Sequence, residues 1–219
     1  MKSRFSRQAI GWAARCKAAH RQELARRGGE QALFGIVQGA AWPELRRECA
    51  DRIAALDFFG HAIGGLSVGE GEDLMREMTA CTLERLPPGK PRYLMGVGRP
   101  EDLLASVGEG IDLFDCVLPT RCGRNGLAFT THGRVKLRNT ALRADARPLD
   151  PECDCLACRK FSRAYLCHLF NAGETLGLTL LSLHNLRYYM RLMDGMRRAI
   201  LEGRFRQFRN GFQSAHAAE

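Results

Sequence analysis

The polarity pattern of the chain changes character near its middle. Residues 4 to about 27 place Phe5, Ile10, Trp12, Ala13, Ala18 and Leu24 among many arginines, the spacing of a basic amphipathic helix. Four short apolar runs follow at fairly regular intervals, at 33–37, 61–63, 93–95 and 111–114. Between them, 43–56, 73–86 and 100–107 carry helical periodicity. Strand and helix alternating through short loops predict βαβ units and a parallel sheet. The runs are continuously apolar, which predicts a sheet covered on both faces.

Beyond Asp115 the pattern differs. Segments 127–130 and 134–137, joined through His132-Gly133, read as a β-hairpin. Two helical patterns, roughly 162–171 and 184–202, come next, and 204–209 alternates basic and aromatic residues. The organisation expected is therefore a βα portion over 1–116 and a hairpin-and-helix portion over 117–219.

The 219 residues are 45% hydrophobic and 26% charged, enough for a core and at most two domains. Charge adds an asymmetry. Residues 1–116 hold 16 Lys+Arg and 16 Asp+Glu, while 117–219 hold 17 and 8, so the whole net charge of +9 lies in the second portion. A solvated face is one reading; a surface for a polyanion such as nucleic acid is the other. No run of 18 apolar residues marks a membrane span. The first residues enter an amphipathic helix and not a signal-peptide core, so a cytoplasmic protein is expected.

Within the basic portion, Cys153, Cys155 and Cys158 fall inside six residues, and His184 follows on a later segment. Four such ligands make a closed tetrahedral Zn²⁺ site with no position left for water, hence one structural ion per chain. The alternatives are ordinary loop cysteines or a disulfide framework. Nine cysteines is an odd number, the other six are scattered, and the run sits among charged residues, which favours the metal. His168 is a rival fourth ligand, but its apolar surroundings predict a packed histidine.

Strand ends in parallel α/β folds hold the site. Here those ends carry Gln38-Gly39, Gly64-Gly65-Leu66, Met95-Gly96 and Asp115. Asp115, flanked by apolar residues, reads as a nucleophile or general base, or else as a cap or ion-paired core aspartate. Gln38 offers an amide donor and acceptor, Gly65 and Leu66 an approachable backbone, and Met95 a stacking surface. Arg121 and Arg124, read as lying on a loop, could clamp adjacent phosphates.

These segments together carry a resemblance. Phe34-Gly35-Ile36-Val37-Gln38-Gly39, Gly64-Gly65-Leu66-Ser67-Val68-Gly69-Glu70, Tyr93-Leu94-Met95-Gly96-Val97-Gly98, Phe114-Asp115-Cys116-Val117-Leu118-Pro119-Thr120-Arg121 and the cysteine run with His184 resemble, in order and separation, bacterial tRNA-guanine transglycosylase. That family exchanges guanine at the wobble position of certain tRNAs for a deazaguanine on the route to queuosine.

The resemblance implies an α/β fold, the C-terminal half of a (β/α)8 TIM-type barrel, with an inserted zinc-binding subdomain and C-terminal helices. It implies that Asp115 is the nucleophile that holds the tRNA covalently. Gln38, Gly65, Leu66 and Met95 then contact the base, Arg121 and Arg124 the anticodon loop, and Cys153, Cys155, Cys158 and His184 the Zn²⁺. Val68 resembles the bacterial pattern, in which the incoming base is preQ1. Homodimerisation is implied as well.

The sequence also departs from the family. The Asp-Ser-Gly-Gly-Phe-Gln motif, whose aspartate is the general acid/base, does not occur in it. Ala40 stands where a second glycine is usual, and Cys122 where serine is common. The expectation is a catalytic half that does not turn over alone; a non-catalytic tRNA-binding module of the same fold, or an unrelated zinc-stabilised interaction domain, are the rivals.

Overall fold

The computed structural model describes residues 2–216, with side-chain surroundings from residue 8 onward. Phe5, counted above on the apolar face of the first helix, lies outside the described side chains. The chain divides into two compact units, Met1–Gly98 with Ala105–Cys116, and Arg99–Leu104 with Val117–Glu219.

The first unit begins with α1 (Lys2–Arg27) and continues β1 (Phe34–Val37), α2 (Pro43–Ala55), β2 (Gly60–Ile63), α3 (Glu72–Leu83) and β3 (Arg92–Leu94); α4 (Pro100–Gly108), whose first residues count with the second unit, leads to β4 (Leu113–Phe114). The strands form one parallel sheet in the order β1-β2-β3-β4, with Phe34 opposite Gly60, Ala62 opposite Tyr93 and Leu94 opposite Phe114. Pro43 opens α2, where its fixed φ suits the first helical turn and its missing N–H costs nothing. Residues 46, 49, 50 and 53 of α2 are buried, one helical stripe. Val37, Ile53, Ile63, Met78, Leu94 and Ile111 belong to the core. Lys17 of α1 donates to the Leu56 carbonyl at the end of α2, a cation on a helix C-terminus.

The sheet is less covered than the apolar runs predicted. Only β2 is buried at all four positions, while Ile36 of β1 and Leu113 of β4 are exposed. An apolar groove of about 670 Å³ runs beside β1, lined by Trp12, Phe34, Ile36, Trp42 and Phe58 among others.

The second unit holds α5 (Leu118–Arg124), the antiparallel hairpin β5 (Leu127–Thr130) and β6 (Gly133–Lys136), a 3-10 turn (Thr140–Leu142), then α6 (Leu156–Lys160), α7 (Arg163–Ala172), α8 (Thr175–Leu201) and α9 (Phe205–His216). Its separate core includes Ala128, Leu137, Leu149, Leu166, Phe170 and Leu181. Ser162 caps α7, its hydroxyl accepting from the Tyr165 N–H, and Gly173 at φ 75 ends that helix in a left-handed turn.

Three local expectations change. The segment with Arg121 and Arg124 is helix α5, started by Pro119 in its first turn. The last long helix begins at Thr175 and not at 184. The basic-aromatic tail is helix α9, whose Phe208 ring would lie 2.9 Å from a Cβ on Gly195 of α8.

Candidate metal centre and active site

The ligand atoms of Cys153, Cys155, Cys158 and His184 all lie within 4.8 Å of one another, and all four residues are buried. Cys155 ends the turn that enters α6, and its Sγ accepts from the Cys158 N–H at 3.5 Å, so the backbone itself orients the Cys155 sulfur. His184 comes from α8. Its Nδ1 is 3.5 Å from Cys155 Sγ and 3.3 Å from Cys158 Sγ. Zn–S near 2.3 Å and Zn–N near 2.0–2.1 Å at a tetrahedral angle require S···N separations of about 3.6 Å. The donor set therefore fits one Zn²⁺ in both chemistry and spacing.

The surroundings prepare His184 for this role. Its Nε2 donates to the Phe129 carbonyl at 2.8 Å, which leaves Nδ1 bare as a ligand. The adjacent Asn185 accepts from the Phe129 N–H at 3.1 Å and donates to the Pro119 and Leu127 carbonyls, both at 2.9 Å. Hydrogen bonds from Cys155 and Cys158 hold the Cys153 thiol far below its ordinary pKa, while bonds from Cys153 and Cys155 drive Cys158 far above. Thiols placed this close compete for protons that a cation would displace. His168, expected to be packed, is exposed on α7 and far from being a fourth ligand by burial.

In the first unit the strand ends converge. Asp115 follows β4 directly. It is exposed, so the desolvation cost anticipated from its apolar neighbours does not arise. Hydrogen bonds constrain it instead: Oδ1 accepts from the Tyr93 hydroxyl at 2.6 Å and from the Gly96 N–H at 2.9 Å. Oδ2 has no hydrogen-bond partner among the described residues. The bond to Asp115, followed by burial, pushes the Tyr93 phenol up to about 12. Gly96 sits at φ 76, in the left-handed region that glycine adopts freely.

Gln38, Gly64 and Gly65 are also brought together. A Cβ on Gly64 would stand 2.9 Å from Gln38 Nε2, and one on Gly65 2.8 Å from Gln38 Oε1, so the Gln38 amide lies against both glycines. Met95 is half-buried just past β3, its N–H donating to the Ile63 carbonyl at 3.1 Å. The Glu70 carboxylate accepts from the N–H groups of Ser67 and Val68 and so folds the next turn back on itself.

The model of the family described as Queuine tRNA-ribosyltransferase matches residues 4–218. This chain belongs to that family. Among similar queuine tRNA-ribosyltransferases, that of Symbiobacterium thermophilum is 53% identical over 209 residues, 95% of this chain and 51% of the relative. That of Methylobacillus flagellatus is 52% identical over 93% of this chain and 54% of its own length, and that of Thiobacillus denitrificans 52% over 96% and 56%. The chain thus spans about half the length of the curated relatives it matches.

Within this chain, the four candidate metal ligands meet in the second unit, and Gln38, Gly65, Met95 and Asp115 occupy the carboxyl ends of the sheet in the first. Leu66 is buried there. Arg121 and Arg124 are exposed three residues apart on α5 of the second unit, a spacing that sets them on one helix face. Sequence reasoning passed over Tyr93, which counted as one more apolar strand residue. It also passed over Arg46, whose signal was present: positions 46, 49, 50 and 53 form an i, i+3, i+4, i+7 stripe.

Proposed function

We propose that this chain carries the nucleophile and the zinc-binding part of a tRNA-guanine transglycosylase, which exchanges wobble guanine in tRNA for preQ1. The observation that carries the reading is Asp115, with one carboxylate oxygen tied by Tyr93 and Gly96 and the other open at the sheet's carboxyl end. In this reading Oδ2 attacks ribose C1′, the C1′–N9 bond breaks, and its electron pair leaves with guanine, which takes up a proton. The incoming base then attacks C1′ through its own nitrogen, loses a proton, and releases Asp115. Tyr93 and Gly96 hold the carboxylate aimed throughout. Gln38, the Gly65 and Leu66 backbone and Met95 bind the base, and Arg121 and Arg124 contact anticodon-loop phosphates. Cys153, Cys155, Cys158 and His184 would hold a Zn²⁺ that ties α8 to the cysteine turn.

The four parallel strands in consecutive order, with Ile36, Trp12 and Trp42 exposed beside β1, support reading residues 1–116 as half of a (β/α)8 barrel and 117–219 as the zinc-binding portion with the last helices. The general acid would come from a companion half bearing the Asp-Ser-Gly-Gly-Phe-Gln segment, in cis or in trans, and the completed enzyme would act in the cytoplasm as a homodimer. The test joins this chain to such a companion and follows labelled guanine into tRNA. Exchange and a denaturant-stable tRNA adduct are expected from the pair, neither from the chain alone, and no adduct from Asp115→Ala. An adduct that persists in Asp115→Ala overturns the assignment of the nucleophile.

A further inference from the structure

Arg46 heads the fully buried side chains among the described residues by size, with no exposed surface. Buried guanidinium groups ordinarily face carboxylates. The hydrogen bonds of this one go to main-chain carbonyls: Nε donates to Ala40 at 2.6 Å, and Nη2 to Gly64 at 3.1 Å and Gly65 at 3.3 Å. Those carbonyls belong to the two loops that leave the carboxyl ends of β1 and β2. One cation therefore pins both loops from beneath. Ala40 at φ 49 and Gly65 at φ 68 are turned into the left-handed region on those loops.

The peptide plane carries the consequence further. In a trans peptide the carbonyl and the following N–H point in opposite directions. Because Arg46 takes the carbonyls of Gly64 and Gly65, the N–H groups of Gly65 and Leu66 face away from it. Neither has a hydrogen-bond partner among the described residues. Gly65 stands beside the Gln38 amide, with Leu66 next to it in sequence, at the sheet end that also bears Asp115.

We infer that Arg46 is a positioning residue for base recognition: by holding the Gly64 and Gly65 carbonyls it aims the Gly65 and Leu66 N–H groups, next to Gln38, at the acceptor edge of a planar, purine-like base. The inference rests on reading these loops as the base site. Lysine does not substitute, because a single ammonium cannot reproduce the planar fork that spans two loops. A methionine of similar length leaves the carbonyls unpaired and free to turn.

Guanine titrated into the ¹⁵N-labelled full chain provides the test, read at the amide resonances of Gly65 and Leu66. In the wild type both signals move and saturate. In Arg46→Lys the affinity falls by about tenfold or more, the loss of hydrogen bonds to a charged group. Both signals are already displaced before guanine is added, while zinc content and the amides of the second unit are unchanged. Arg46→Met loses the response altogether; if that variant does not fold, Arg46→Lys carries the decision. Equal guanine affinity in Arg46→Lys and wild type, or undisplaced Gly65 and Leu66 signals, overturns the role of Arg46 alone. Wild-type amides that ignore guanine overturn the base-site reading, and this inference with it.

Discussion

Asp115 shows how a solvent-accessible carboxylate is made specific without burial. Two donors, one a phenol and one a backbone N–H on a left-handed glycine, fix a single oxygen and thereby orient the other. Removing the phenol in Tyr93→Phe should slow adduct formation in the completed enzyme on the order of tenfold, with the KM for tRNA nearly unchanged, since a hydrogen bond to a charged group is lost but no tRNA contact. An unchanged rate would refute the positioning. The same bond is visible by titration. The phenol's folded value, about 12, lies above the ordinary tyrosine value, so the bond's contribution is complete below roughly pH 10 and is lost as pH rises through about 12. In Asp115→Asn the Tyr93 component of the ultraviolet titration, isolated by subtracting Tyr93→Phe, should fall back towards the ordinary value. Asp115 itself was legible because an acid among apolar residues stands out in a sequence. Tyr93 was not, because its ring belongs to the strand pattern and only its hydroxyl, 22 positions from its partner, belongs to the site.

Helix α5 meets α8 at Gly123, where a Cβ would fall 2.8 Å from the Ser182 backbone. Gly123→Ala should therefore cost about 1–3 kcal/mol, the range for forcing extra volume into a packed contact. Denaturant unfolding of the second unit measures it, and an unshifted midpoint would show that the helices can separate freely. This crossing also explains part of what the sequence concealed. The stretch before His184 is apolar on nearly every side, includes Gly177, and opens at Glu174 without a side-chain cap, so neither a polar face nor a start signal marks the first turns of α8. In α9, Phe205, Phe208 and Phe212 keep helical spacing, but the interleaved arginines imitate alternation over the first few positions. The strands were plain by contrast, because each apolar run ends in glycine or a polar group. Their open face was not plain, since an apolar run states what a residue prefers and not what covers it.

At the scale of the whole molecule, the two hydrophobic cores are built from separate sets of residues, one around the parallel sheet and one around the cysteine turn and α8. Metal removal should act on them unequally. Purified chain should carry one Zn²⁺; stripping it with a chelator, or mutating Cys155→Ser, should loosen the hairpin and α8 while the sheet unit keeps its amide protection. Metal release should be promoted by acid, because protons compete for the thiolates and the imidazole. Hydrogen exchange with and without chelator reads both units at once, and uniform loss of protection would contradict their independence.

The two bonds from α8 to Phe129 have a further consequence, for solubility. His184 and Asn185 occupy the carbonyl and the N–H that β5 would otherwise offer on the side away from β6. An unpaired row of such groups is a template for another chain. The histidine that completes the metal site is thus also a guard on a sticky strand. Demetallated protein should not merely loosen but self-associate through β5, faster at higher concentration, and Asn185→Ala should do so even with zinc in place.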